Sequence, residues 1–168
     1  MSDKRQAIAE LYETHYERVA RYIAVRIGSI SEAEDLASEV FVRALKSIDG
    51  YKETGAPLEA WVFRIAHNLV VDHLRRKSRR PASVPLDETF PLASIENLTG
   101  GLEHQQEIQQ LHQAMAQLSD AQRQVLALRF GAEMTSEQVA QVMRKRPGAV
   151  REMQSAAIKK LRQILGGQ

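Results

Sequence analysis

The stretch from residue 58 to residue 80, LEAWVFRIAHNLVVDHLRRKSRR, constrains the fold of this chain more than any other. Its apolar residues recur at three- and four-residue spacing, which predicts a helix with one buried and one exposed face. Pro57 suits the start of this helix and Pro81 prevents its continuation. Five cations crowd its end: Arg75, Arg76, Lys77, Arg79 and Arg80. This basic end favours contact with a polyanion, and a solvated end that complements the helix dipole is the alternative.

Composition excludes several classes of protein. The 168 residues are 43% hydrophobic, which is ordinary for a soluble chain. The absence of cysteine excludes disulfides, thiolate metal sites and thiol nucleophiles. No signal peptide, long apolar run or lipidation motif occurs, so we expect a soluble cytoplasmic protein without membrane insertion. The net charge is only +2, but the cations are bunched in residues 75–80, 144–151 and 159–162, which indicates local basic patches.

Two helices are predicted before the basic stretch. Apolar residues keep helical spacing from Gln6 to Ile27, and Gly28 follows where a left-handed residue often ends a helix. Ser31 and Glu34 match the capping pattern S-x-x-E, and helical spacing then continues to Gly50. The opposite face of this second helix is polar and, from charge spacing alone, is explained by solvation: Glu32, Asp35, Ser38, Glu39 and Arg43.

Residues 81–101 differ from the rest of the chain. The segment PASVPLDETFPLASIENLTGG contains three of the five prolines, two adjacent glycines and no Lys or Arg. It lacks helical periodicity, which predicts an extended or loosely held linker between a first domain (residues 1–80) and a second domain (residues 102–168). Its acidic residues are compatible with a plain spacer and with occupation of a basic channel, and the sequence leaves both open.

The second domain is predicted to be helical throughout. A polar helix spans about residues 102–117, and capping patterns at Ser119 and Thr135 begin two more helices. After the polar turn at residues 144–146, Pro147 begins the last helix. A short helix, a tight turn and a longer helix are typical of a helix-turn-helix, whose second helix recognises DNA.

Three motifs carry a resemblance to a known family. They are AEDLASEVFVRAL at residues 33–45, LEAWVFRIAHNLVVDHLRR at residues 58–76, and LSDAQRQVLALRF with TSEQVAQVM and PGAVREMQ in the second domain. With these motifs the chain resembles, along nearly its full length, the two-domain extracytoplasmic-function (group IV) sigma factors of bacterial RNA polymerase. The resemblance implies an all-α fold of two small helical domains joined by a flexible linker. It also implies a non-enzymatic initiation factor, without cofactor or metal, that directs core RNA polymerase to specific promoters.

The resemblance implies four sets of contacts. The DLASE segment of the second helix would grip the clamp helices of the polymerase through Asp35, Ser38 and Glu39. The loop at residues 51–56 would receive a base flipped out of the non-template strand. The implied contacts with the minus-ten element are Lys52, Arg64, Asn68, Asp72, His73, Arg75 and Arg76. The implied contacts with the minus-thirty-five element are Arg144, Lys145, Arg146, Arg151, Glu152 and Ser155.

The chain departs from the family pattern at three positions. Ser38 stands where relatives often have glutamine, which weakens that single polymerase contact. Arg144 occupies a turn position where related motifs favour glycine, so we expect a strained or altered turn. Ala156 stands where many relatives carry an arginine near DNA, so their promoter preference is not transferred. Because many members are held inactive by an anti-sigma factor, we expect one here as well.

An enzyme and a stand-alone repressor are the alternatives. His67 and His73 lie on one predicted helix, but their separation corresponds to about 600 degrees of helical rotation and places them on different faces. No phosphate-binding loop, nucleophile elbow or dinucleotide-binding motif occurs. A helix-turn-helix repressor would bind a palindromic duplex without polymerase. Footprinting with and without core polymerase separates that alternative from a sigma factor.

Overall fold

The computed structural model describes residues 3–52, 55–78 and 101–166, and these residues are helical with no strand. The helices are α1 (Asp3–Ile27), α2 (Ile30–Ser47), α3 (Leu58–Ser78), α4 (Gly101–Met115), α5 (Asp120–Leu126), α6 (Ser136–Met143) and α7 (Pro147–Gly166). A short 3-10 helix, Ile48–Gly50, follows α2, and a π-helical turn, Ala127–Gly131, follows α5. The predicted all-α class, with a helix-turn-helix formed by α6 and α7, is confirmed.

Two expectations fall partly outside the described residues. Arg79, Arg80 and residues 81–100 of the predicted linker are among the residues that the structure does not describe. Gly101 was assigned to the end of the linker, but it begins α4. Among the described residues, no helix combines the length and apolar character needed to cross a membrane.

The junction between α1 and α2 corrects one predicted cap. Gly28 ends α1 in the left-handed region, with φ of 81°, and Ser29 caps α2 because its Oγ accepts a hydrogen bond from the Glu32 amide at 3.2 Å. The predicted cap at Ser31 is therefore wrong, and that residue lies inside the helix. The amide of Ile30 donates to Gln105 Oε1 of α4 at 3.0 Å, so the second domain also satisfies this helix start.

The other predicted helix starts are confirmed. Ser119 and Thr135 each form a reciprocal capping box with the glutamine three residues later. Pro147 begins α7, as its fixed φ and missing amide proton favour. Pro57 lies just before α3 and accepts the first helical hydrogen bond from the Trp61 amide at 3.1 Å.

The core combines residues from both domains in one hydrophobic cluster. Tyr22 of α1 is fully buried, and its ring meets Phe63 of α3 edge to face with 5.8 Å between centroids. Several large apolar side chains on the predicted helices are exposed in part, among them Tyr12 by 45%, Phe130 by 57% and Leu165 by 57%. The helical period identified the faces but not the extent to which neighbouring elements cover them.

The two domains pack directly on each other, and we call this packing the closed arrangement. The π-helical turn lies on α1, where Arg18 Nε donates to the carbonyl oxygen of Ala132 at 2.8 Å and Arg21 Nε donates to that of Gly131 at 3.2 Å. A Cβ atom at Gly131 would lie only 3.1 Å from the Tyr22 Cα atom. A Cβ atom here would therefore push the backbones of α1 and this turn apart by a few tenths of an ångström, and glycine permits their close contact.

Candidate nucleic-acid interface

The polar ridge of α2, formed by Glu32, Asp35, Ser38 and Glu39, is open to solvent over its C-terminal part. Asp35 and Ser38 are exposed. Glu39 pairs with Arg43 one turn later, with 3.1 Å between carboxylate and guanidinium, and both side chains are nearly half exposed. A surface ion pair of this kind contributes little stability. These three residues are therefore accessible to a partner, and their contacts with the polymerase stay a prediction.

The N-terminal part of the ridge contacts the chain itself. Glu32 Oε1 lies 3.0 Å from His73 Nε2 of α3, and each side chain is about three-quarters buried. The backbone carbonyl of Glu34 accepts a hydrogen bond from the Tyr16 hydroxyl at 3.3 Å, and burial raises the pKa of the Glu34 carboxyl. His73, expected at the minus-ten element, thus lies against α2. The free surface of the ridge begins at Asp35.

The basic end of α3 is exposed. Arg75, Arg76 and Lys77 all project into solvent. Asp72 is half-buried and forms a weak ion pair with Arg75 at 3.5 Å, one turn away. Because cations predominate at the C-terminal end of a helix, they complement its dipole and also present a basic surface.

Arg64 lies on α3 but is directed into the second domain. Its Nε atom donates to the carbonyl oxygen of Val142 at 3.1 Å, and its Nη2 atom donates to that of Gln141. These carbonyls belong to the last turn of α6, where helix geometry leaves them without partners of their own. Burial and the nearby Arg144 guanidinium lower the pKa of Arg64. In the closed arrangement this predicted minus-ten residue therefore caps the first helix of the helix-turn-helix.

The predicted specificity loop is anchored at its ends. The Tyr51 hydroxyl donates to the carbonyl oxygen of Ala56 at 2.6 Å, and its ring centroid lies 5.2 Å from that of Trp61. Lys52 is exposed, and its carbonyl oxygen accepts a hydrogen bond from the Gly55 amide at 3.0 Å. Residues 53–54 lie outside the described residues. The anchored ends hold the loop beside the start of α3.

The turn of the helix-turn-helix is left-handed at Arg144, with φ of 59° and ψ of 47°. The strained turn expected from the departure at this position is present, because an L-residue with a side chain is disfavoured in that region. The Lys145 amide donates to the carbonyl oxygen of Ala140 at 3.0 Å and closes the turn.

The predicted minus-thirty-five residues lie on exposed parts of the turn and of α7. Arg151 approaches Glu137 of α6 at 3.7 Å, and both side chains are more than half exposed. The remaining members of the set are also exposed: Arg144, Lys145, Arg146, Glu152 and Ser155. The exposed turn and helix face form a basic surface suited to DNA.

The closed arrangement brings parts of the two predicted DNA-binding surfaces together. Arg64 and Asn68 of α3 and Arg144 of the turn line one cavity of about 460 Å³ between the domains. The exposed end of α3 and the outer face of α7 lie away from this cavity. The described residues contain no group of three or more histidine, cysteine or acidic side chains arranged to hold a metal ion.

A buried polar cluster behind the cavity was missed by sequence reasoning. Tyr22 donates a hydrogen bond to Gln124 Oε1 at 2.7 Å, and the guanidinium of Arg26 bonds the same oxygen. All three side chains are more than nine-tenths buried, and burial raises the pKa of the Tyr22 phenol. The available signal was Arg26 itself, a single cation within the apolar run YIAVRI.

Comparison with known proteins agrees with the two-domain organisation. Residues 11–80 match the family model for sigma-70 region 2, and residues 114–163 match that for sigma-70 region 4. The sigma factor ShbA of Streptomyces griseus is 38% identical over 137 residues, which cover 78% of this chain and 70% of that protein. BldN of Streptomyces coelicolor, also an extracytoplasmic-function sigma factor, is 32% identical over 160 residues, which cover 95% of this chain but 60% of BldN.

A solved structure shares the fold. The sigma factor RpoE of Bartonella quintana, solved in complex with the anti-sigma factor NepR, superposes with a TM-score of 0.67 at 21% identity. The match covers 96% of this chain and 98% of that one. Both sigma-70 regions occur in the order that the two domains require, and ShbA matches over most of its own length. The chain therefore belongs to the extracytoplasmic-function sigma factors, which direct RNA polymerase to promoters.

Proposed function

We propose that this chain binds core RNA polymerase through the exposed part of the α2 ridge and directs it to promoters. The observation that carries the proposal is the exposure of Asp35 and Glu39 on a helix whose opposite face is buried in the first domain. Two accessible carboxylates on a rigid helix can accept charge-assisted hydrogen bonds from a basic partner. The proposed role is non-catalytic and is exercised in the cytoplasm.

Replacing the two ridge carboxylates tests polymerase binding. We expect Asp35→Ala with Glu39→Ala to weaken binding to core polymerase by about tenfold or more, because each charged contact is worth roughly 1.5–3 kcal/mol. Fluorescence anisotropy of the labelled full chain, titrated with core enzyme, measures the change. The matched control removes Glu10 and Glu13, which are exposed acids on the outer face of α1. Equal affinity of the ridge variant and the wild-type chain would contradict the proposal.

The first domain is proposed to bind the minus-ten element and the second domain to bind the minus-thirty-five element. The exposed basic end of α3 supports the first assignment, and the exposed turn and α7 face support the second. Arg64 can serve at a promoter only after its hydrogen bonds to the α6 carbonyls are released, so promoter contact through Arg64 requires the domains to separate. The sigma-70 region 2 match disfavours a stand-alone repressor, which needs no such domain.

Promoter melting is proposed to require polymerase. Extracting a base costs a few kcal/mol, whereas one stacking contact returns about 1–3 kcal/mol. The chain alone therefore cannot hold several separated base pairs. We expect no permanganate reactivity at promoter thymines with the isolated chain, and reactivity once core polymerase is added. Reactivity without polymerase would oppose this assignment.

An anti-sigma factor is proposed as a further partner. The exposed α2 ridge, basic α3 end and α7 face are surfaces that an inhibitor could cover together. The Bartonella RpoE structure contains its sigma factor with the anti-sigma factor NepR, which supports the same class of partner for this chain. Co-purification of the chain from its native cells, followed by mass spectrometry, would identify the partner. Recovery of active, uncomplexed chain under uninduced conditions would count against one.

A further inference from the structure

The cavity between the domains has the size of a small-molecule site. Its volume is about 460 Å³, which is within the roughly 300–1,000 Å³ typical of ligand pockets. It lies between α3 and the second domain, where Gln124, Val142 and the turn residue Arg144 form the opposite wall. The closed arrangement creates this space, since neither domain encloses it alone.

The lining is strongly cationic. Three guanidinium groups face or border the cavity, from Arg26, Arg64 and Arg144. Asp120 is the carboxylate among the lining residues, and its Oδ1 atom already pairs with Arg123, which lowers its pKa. Burial, and then repulsion from Arg144, lower the pKa of Arg64. Asp120 also interacts electrostatically with Arg26, so among the lining residues a single carboxylate stands against three arginines.

Arg26 is the least compensated of these cations. Its side chain is 3% exposed, yet its hydrogen-bond partners are neutral, namely Gln124 Oε1 and the Tyr22 hydroxyl. Its Nε atom is buried and lacks a hydrogen-bond partner, and among the described residues no carboxylate lies within 4.0 Å of the guanidinium. Removing a charge from water without an opposite charge is unfavourable. Binding of an anion beside Arg26 would offset this cost.

His67 adds a second unsatisfied group to the same wall. Its Nδ1 atom is buried without a hydrogen-bond partner, and burial together with Arg26 lowers the pKa of the ring. A neutral imidazole can donate one hydrogen bond from whichever nitrogen carries the proton. Arg26 and His67 thus offer two donors from α1 and α3 beside a cavity that Arg64 and Arg144 border from its other sides.

We propose that this interdomain cavity binds a small phosphorylated anion, held by Arg26, Arg64 and Arg144. Guanidinium groups donate charge-assisted hydrogen bonds to phosphate oxygens, which suits a phosphate or pyrophosphate moiety. Arg64 would contribute its charge and its Nη1 atom, because its Nε and Nη2 atoms already donate to the α6 carbonyls. Duplex DNA cannot enter a cavity of this size while the domains are packed. The bound anion would join α1 and α3 to the helix-turn-helix, and it would thereby stabilise the closed arrangement against promoter binding.

Calorimetric titration of the full chain with inorganic pyrophosphate, and separately with ATP, tests the proposal. We expect saturable binding with one site per chain, and we expect Arg26→Met to weaken it by about tenfold or more because a charge-assisted contact is lost. The matched control is Lys160→Gln, which removes one exposed cation on α7 away from the cavity. Absence of binding to the wild-type chain, or equal losses in both variants, would overturn the proposal.

Two further measurements separate the site from alternative explanations. Arg144→Gly removes a lining guanidinium while relieving a left-handed backbone, so we expect weaker pyrophosphate binding without loss of thermal stability.

Binding of a random-sequence DNA duplex tests whether the arginines of the cavity are only a general DNA-binding surface. We expect Arg26→Met to weaken pyrophosphate binding at least about tenfold more than duplex binding. Equal losses would reassign Arg26 to a general nucleic-acid surface.

Discussion

Single residues in this chain store both strain and uncompensated charge. Arg144 holds a left-handed backbone conformation at the turn of the helix-turn-helix, although it carries a Cβ atom. Its side chain is exposed, so no burial offsets the strain within the domain. A cation at this position is proposed to serve DNA or the interdomain cavity. The backbone strain at Arg144 therefore lowers stability, whereas its guanidinium is needed for the proposed function.

Replacing Arg144 by glycine is expected to stabilise the chain by about 1 kcal/mol, because glycine adopts positive φ without the Cβ penalty. Arg144→Ala is the matched control, since it removes the same charged group but keeps the Cβ atom. Thermal unfolding should show a higher Tm for the glycine variant than for the alanine variant. Equal Tm values would show that the turn is not strained.

Some helix termini in this fold are satisfied by residues nearby in sequence and others by distant residues. The boxes at Ser119 and Thr135 satisfy helix-start amides with side chains that lie three residues apart in sequence. The start of α2 also uses Gln105, which is far away in sequence. Elements with purely local caps can be engineered independently of the rest of the molecule.

Removing the α6 cap tests one such element. Thr135→Ala should destabilise the chain by about 1 kcal/mol, because the Gln138 amide loses its side-chain acceptor. Thr135→Ser keeps the hydroxyl and should retain most of the stability. Urea unfolding monitored by circular dichroism measures both changes. A similar loss in both variants would show that the methyl group, and not the hydrogen bond, matters.

The difference between local and distant helix caps explains how much of the fold could be predicted from the sequence. Spacing and caps placed most helices, and the exposure of Asp35 and Glu39 follows from their position opposite the apolar face of α2. The cap of α2 was misplaced because Ser29 and Ser31 are both followed by glutamate after three residues. The left-handed Gly28 and the distant Gln105 decide between them, and neither effect is contained in a local pattern.

Tertiary contacts account for the residues that sequence reasoning missed or misplaced. Arg64 was expected to face DNA, but its hydrogen bonds to the α6 carbonyls depend on domain packing. Arg26 was overlooked because its partner Gln124 lies 98 positions away, beyond the reach of any local sequence pattern. Periodicity in the sequence therefore cannot predict the roles of residues that lie at an interface between domains.

At the scale of the whole molecule, the closed arrangement depends on close backbone contact. Gly131→Ala would place a Cβ atom 3.1 Å from Tyr22 Cα and 3.3 Å from the Arg21 carbonyl oxygen, and backbone atoms of a packed helix cannot easily move away. We expect this variant to separate the domains while each domain stays helical. Gly148→Ala is the control, since its Cβ atom would meet nothing within 4 Å.

Hydrodynamic radius and circular dichroism measure this separation. The Gly131→Ala chain should sediment more slowly than the wild-type chain at unchanged helical content, whereas the Gly148→Ala chain should sediment as wild type. If Gly131→Ala leaves sedimentation unchanged, the glycine is not required for the domains to pack.

Acidification is expected to destabilise the packed molecule. Burial lowers the pKa of His67 and of His112, whose Nδ1–H donates to the Val25 carbonyl oxygen at 3.1 Å. Below an unfolded pKa of about 6.5, the unfolded chain binds more protons than the folded one, so stability falls until the lowered folded pKa values are passed. The stability that depends on these two neutral histidines is therefore fully present above about pH 6.5 and is lost as the pH falls toward their folded pKa values.

Chemical unfolding at pH 7.5 and at pH 5.5 measures the effect. His112→Gln should reduce the difference in stability between the two pH values, because one of the two histidines with a lowered pKa is removed. An unchanged difference would exclude His112 as a source of the pH dependence.

The closed arrangement has a consequence for how such a protein can diversify. Arg18, Arg21 and Arg64 all fasten the second domain through main-chain oxygen atoms, at Ala132, Gly131, Gln141 and Val142. Main-chain oxygens are present whichever side chains occupy those positions. Mutations that change the side chains at positions 141 and 142 can therefore leave these fastenings intact. The two domains can diverge in sequence along this boundary without losing the contacts that hold them together.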